Sequence, residues 1–124
     1  MPESVLQIPP AAEYVRVARL VAAAAARRAG VLDDALDDVR LAVGEAATRA
    51  VLRHGSGSIA DPIRLVLNDH PRFEVTVEDR AGAAAVEDGL ALALITSLPD
   101  VVEVRRTPDG DSVRMSWSLG SPPG

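Results

Sequence analysis

The chain has 124 residues, 48% of them apolar, and a net charge of −5 with no cysteine; every one of its 13 cationic side chains is arginine. That is enough chain for one hydrophobic core and too little for two. Disulfides, thiolate catalysis, Cys-ligated metal, Schiff-base chemistry and a P-loop lysine are excluded by inventory, and the acidic balance argues against direct nucleic-acid binding, which needs a basic face to release phosphate counterions.

No apolar run has membrane-spanning length, because Arg27 and Arg28 break the alanine tract at 22–26, and no signal-type segment opens the chain. A soluble, cytoplasmic protein without membrane contact is expected, with one domain over residues 1–119 and a flexible tail over 120–124.

Ser4–Ile8 reads as a short strand closed by Pro9 and Pro10, which suit the first turn of a helix. That helix is expected over 11–28, with Tyr14, Val17, Ala18, Val21 and Ala25 as its apolar stripe and Gly30 as its C-terminal cap. A second helix is expected from Asp33 and Asp34 to His54 and Gly55, buried along Leu32, Leu36, Val39, Val43, Ala46 and Ala50. Two alternating segments follow, with Ile63, Leu65 and Leu67 on one face of the first and Phe73, Val75 and Val77 on one face of the second, joined by a tight turn at 69–71. A short helix over 87–98 and strands over 101–106 and 113–119, joined by a TPDGD turn, complete the order. This order predicts an α+β two-layer sandwich, with a mostly antiparallel sheet of about five strands and three helices on one face.

Two acids stand out. Glu45 lies on a second stripe of the long helix between Leu41 and Leu52, and Asp79 continues the core-facing phase of Phe73, Val75 and Val77. Both are expected to face the layer between helices and sheet, where a carboxylate needs a hydrogen bond, a cation or water. The residues alone leave other roles open: Asp79 as a turn-former, and Glu45 as the i, i+4 partner of Arg49. With only His54 and His70 in the chain, no histidine metal site is expected.

The stretch RLAVGEAATRAVLRHG (40–55) resembles the first box of the GHKL (histidine-kinase-like) ATP-binding superfamily, in particular RsbW-like anti-sigma factors and serine-protein kinases, whose helix reads approximately LAVSEAxTNAxxHG. VTVEDRAG resembles the strand ending in that superfamily's Asp-x-Gly box, and DGLALALITSLPDVVEV its second glycine box with the following helix and strand. The resemblance implies that Glu45 matches a general base or water-positioning acid, that Asp79 matches the acceptor of the adenine amino group, and that Gly82 and Gly89 belong to the glycine boxes. It places Arg49 where relatives carry the asparagine that helps hold Mg²⁺. Arginine has no lone pair for a metal, and the chain's only asparagine is Asn68. Ala81 and Ala91 replace box glycines, and the 80–88 segment is shorter than the usual lid.

The function implied is an anti-sigma factor that binds an RNA polymerase sigma factor and is released by an antagonist, with Mg-ATP binding weakened or lost. In that reading Arg16 and Arg19 contact the partner, and homodimers form as relatives' do, with Ser4–Ile8 as an edge for pairing. Two alternatives stay open at this point: an active serine/threonine kinase acting on the antagonist, with ATP and Mg²⁺ as cofactors and Glu45 as base, and a fold-only interaction module.

Overall fold

The computed structural model describes residues 3–82, 93 and 95–120. Five strands, β1 (Glu3–Ile8), β2 (Ile63–Asn68), β3 (Phe73–Glu78), β4 (Val101–Thr107) and β5 (Gly110–Trp117), form one sheet in the order β1-β2-β3-β5-β4. Every neighbouring pair is antiparallel. A 3₁₀ turn (Ala12–Tyr14) leads into α1 (Val15–Ala29), and α2 (Asp33–Ser56) follows after a three-residue link. The sheet is thus antiparallel throughout, as the expected class allows, with β1 and β4 at its edges. Of the helix expected over 87–98 only the end falls within the described residues, where 95–97 are helical and Ile95 is buried.

Period two dictates which strand residues meet the helices. Ile63, Leu65, Leu67, Phe73, Val75, Val77, Val113, Met115 and Trp117 are all buried, and the register places Val77 opposite both Leu65 and Val113. Phe73 and Trp117 meet at the sheet's far end with ring centroids 6.1 Å apart and planes tilted by 37°. Above them lies α2, buried along Leu36, Val39, Val43, Ala46 and Ala50 as its periodicity predicts. Leu32 departs from the stripe: it is the N-cap residue, in extended conformation and exposed, and no side chain caps the helix.

The face of α1 differs from expectation. Val15, Ala18, Ala22, Ala23 and Ala26 are buried, whereas Tyr14, Val17, Leu20 and Val21 are exposed. The physical reason is distance of approach. α1 packs chiefly on α2, and two helices come together most closely where both present small side chains. Hydropathy ranks valine and leucine above alanine, so it selects the wrong side of this helix. Arg27 and Arg28 stand in the last turn, and Gly30 closes it in the left-handed region at φ 105°, with its N–H donated to Ala26 O and Arg27 O.

Asp100 ties the entry of β4 to the exit of β5. Its N–H donates to Ser116 O, and its Oδ2 accepts from the backbone N–H of Ser118 at 2.8 Å and the hydroxyl at 3.0 Å. These two bonds to Ser118, aided by the Arg72 guanidinium, hold the carboxyl below its usual value of 3.8. A carboxylate whose pKa falls on folding stabilises the native state above its unfolded pKa and loses that contribution as pH drops through the folded value. Asp100→Asn is therefore expected to reduce stability at pH 7 and to cost progressively less as pH falls below the ordinary carboxylate value, as read from urea midpoints across that range.

Candidate functional site

Four charged side chains are buried together between α2 and the sheet. Arg49 and Arg53, one turn apart, project from the flank of α2 that faces the ends of β3 and β5; Asp79 immediately follows β3, and Asp111 is the second residue of β5. All four are under 7% exposed. Arg49 Nη2 donates to Asp111 Oδ2 at 2.6 Å, and Arg53 Nε donates to Asp79 Oδ2 at 2.9 Å. Cross contacts close the square: Arg49 Nη1 lies 4.0 Å from Asp79 Oδ2, and Arg53 Nη2 lies 3.4 Å from Asp111 Oδ1. Two cations and two anions leave the cluster neutral, the condition under which charges persist out of water.

Backbone groups complete it. Asp79 Oδ1 accepts from the N–H of Ala81 at 2.9 Å and of Asp111 at 3.1 Å, and Asp79 N–H donates to Asp111 O at 2.9 Å. Arg53 Nη2 also donates to the carbonyls of Ala81 and Gly82, at 2.9 and 3.4 Å. Beside the cluster, His54 is fully buried and its Nε2 accepts the N–H of Arg80 at 2.9 Å. That bond requires a neutral imidazole with the proton on Nδ1. The helix-end histidine expected from sequence is thus also a second link between α2 and the segment after β3.

Glu45 stands elsewhere. It is half-buried and lines a groove of about 430 Å³ between α1 and α2 with Glu13, Arg16, Arg19, Leu41 and Leu52. The expectation that Glu45 and Asp79 both face the helix–sheet layer therefore holds for Asp79 alone. Four-residue spacing carries Glu45 to the interhelical side of α2 while Arg49, slightly further round, reaches the strand ends. Arg16 and Arg19, expected together on α1, do share that groove. The stem of Arg19 crosses α2 at Gly44, where an added Cβ would come within 2.6 Å of its Cδ. Gly82 is described and sits beside the cluster; Gly89 and Ala91 lie outside the described residues.

Arg53 and Asp111 were absent from the expected site. Both were legible in principle: Arg53 is one turn beyond Arg49, and Asp111 shares the period-two phase of Val113, Met115 and Trp117. Starting the last strand at Val113 hid Asp111. Among the described residues there is no group of three His, Cys, Asp or Glu that could hold a metal ion, and no helix long and apolar enough to cross a membrane.

Comparison with known proteins agrees with this architecture. The histidine kinase-like ATPase domain family matches residues 8–117. The serine-protein kinase RsbW of Bacillus pumilus (strain SAFR-032) is 28% identical over 138 residues, covering 92% of this chain and 84% of that protein. RsbW of Staphylococcus aureus is 30% identical over 126 residues, covering 83% and 79%. Among solved structures, the RsbU and RsbW domains of Rv1364c from Mycobacterium tuberculosis superimpose with a TM-score of 0.77 at 17% identity, covering 98% of this chain and 34% of that longer one. With a buried arginine–aspartate square where its helix meets the ends of β3 and β5, this chain belongs to the histidine kinase-like ATPase domain family and is RsbW-like within it.

Proposed function

We propose that the protein is a bacterial, cytoplasmic anti-sigma factor that acts by binding, without Mg²⁺-dependent phosphoryl transfer. The observation that carries this reading is Arg49. At the position where relatives' helix carries a magnesium-binding asparagine stands a guanidinium 2% exposed and 2.6 Å from Asp111. It offers a metal no lone pair and brings a fixed positive charge to the place a cation would occupy. The residues present do not fit Mg-ATP, so no catalytic step is assigned to Glu45.

The binding face of this reading is the α1–α2 surface. Tyr14 at the N-cap and Val17, Leu20 and Val21 on α1 are exposed apolar side chains, and Leu41 and Leu52 are exposed on α2 beside the groove that holds Arg16 and Arg19. A patch of this kind on a soluble domain marks a protein-binding surface. An apolar helix with acidic flanks complements it, and a sigma factor is the partner proposed, with an antagonist protein competing for the same face. Self-association through the sheet, with β1 as an available edge, belongs to the same reading.

The experiment combines two assays. Calorimetry against the sigma factors of the source organism is expected to find one binder, weakened about tenfold by Arg16→Glu. Incubation with radiolabelled Mg-ATP and candidate antagonists is expected to give no phosphoprotein. Phosphate transfer that disappears in Glu45→Ala would establish the kinase instead, and failure to bind any sigma factor would refute the regulator.

A further inference from the structure

The acceptor positions at the cluster are already taken. Asp79 Oδ1 receives two backbone N–H groups, its Oδ2 receives Arg53, and Asp111 Oδ2 receives Arg49. Arg53 additionally holds the carbonyls of Ala81 and Gly82, the first residues beyond Asp79 and Arg80. A planar fork of N–H donors thus lies against a carboxylate and two carbonyls, acceptors of the kind that the exocyclic amino group of an adenine would otherwise need. The same two arginines join α2 to the exit of β3 and the entry of β5, beside the bond from the Arg80 N–H to His54 Nε2 that also ties α2 to the segment after β3.

We infer that Arg49 and Arg53 are a built-in ligand: they fill from within the chain the acceptors a purine nucleotide would need, and hold α2 on the strand ends as a bound nucleotide would otherwise do. The consequence is regulatory. The protein keeps one liganded shape at any nucleotide concentration, so ADP and ATP are not inputs to its partner binding. This rests on the reading of the chain as a binding regulator and extends it, because loss of Mg²⁺ chemistry alone leaves nucleotide binding intact.

The test is thermal unfolding and calorimetry of the whole chain with millimolar ADP, Mg-ADP and Mg-ATP. The unaltered protein is expected to show no binding heat and a shift in midpoint under about 1 °C. Arg49→Asn with Arg53→Gln leaves two facing carboxylates, and is expected to melt lower and to regain about 5–10 °C with Mg-ADP. Arg53→Gln with Asp111→Asn keeps the cluster neutral and removes the 2.9 Å bond from Arg53 to Asp79 Oδ2, leaving Arg49 4.0 Å from that oxygen; it serves as the second variant should the first fail to fold, and is expected to gain a midpoint shift with ADP alone. A nucleotide shift in the unaltered protein without phosphate transfer would overturn this inference and leave the regulator reading standing; phosphate transfer would overturn both. Folded variants indifferent to nucleotide would also overturn it, since the arginines would then not be what excludes the ligand.

Discussion

Arg49→Ala should lower the unfolding free energy by about 3–5 kcal/mol, the cost of removing one partner from a buried charge pair. The deletion leaves one guanidinium against two carboxylates in a region where Asp79 and Asp111 are 6% and 4% exposed, and water cannot make up the difference without opening the helix–sheet layer. Removing both members of the pair has a different outcome. Arg49→Met with Asp111→Leu retains the 2.9 Å Arg53–Asp79 bond and replaces the other pair by apolar volume, a change that is often neutral or stabilising by about 1–4 kcal/mol. The double variant is therefore expected to unfold at a urea concentration near or above that of the unaltered chain. The backbone N–H and C=O of residue 111 remain to pair with Asp79, so strand geometry survives the exchange. A cost below about 1 kcal/mol for Arg49→Ala would mean that the cluster is hydrated in solution.

Much of the fold was legible because the strands obey one rule. Alternation from Ile63 to Val77 assigns every inward side chain in β2 and β3, and the same phase carried one step further puts Asp79 inside. α2 was readable for a related reason: Leu36, Val39, Val43, Ala46 and Ala50 recur at helical spacing on the one stripe that is buried. α1 was not, because the helix it touches selects alanine for closeness while its larger apolar residues are left at the surface. Hydrophobicity and packing distance point to opposite faces there, and only the second decides the orientation.

The site divides along the same line. Asp79 could be placed from its own strand, whereas Arg49 acquires its meaning from Asp111, 62 positions away, and Arg53 from Asp79, 26 away. Local spacing reports which face a side chain takes but not what waits there. Hence Glu45, expected to face the helix–sheet layer or to pair with Arg49 one turn on, lines the groove between the helices, while Arg49 reaches Asp111.

Gly110→Ala should be the most damaging small substitution in the molecule. Gly110 stands at φ 151°, where a Cβ would lie 2.0 Å from the carbonyl oxygen of Asp79 and 2.8 Å from its carbon. Both are backbone atoms, so no rotamer change relieves the clash. The β4–β5 turn, closed by the Thr107 hydroxyl donating to Gly110 O at 2.7 Å, would have to back away from the end of β3. That movement draws Asp111 off Arg49 and weakens the Asp79–Asp111 backbone pair, so strain and overpacking are joined by loss of the cluster. Overpacking costs about 1–3 kcal/mol and an unfavourable φ about 1–3, so a total of about 2–6 kcal/mol is expected from urea unfolding. Gly30→Ala is the control: its φ is 105°, but nothing lies within 4 Å of the added Cβ, so it should cost only the conformational strain, about 1–2 kcal/mol. Equal losses in the two variants would show that close contact at Gly110 is not what seats Asp111. A loss at Gly110 at least about 2 kcal/mol larger would establish that the glycine is required because the backbone of Asp79 and Arg80 leaves no room for a side chain, and partial recovery by Arg49→Met with Asp111→Leu would show how much of the loss passes through the buried square.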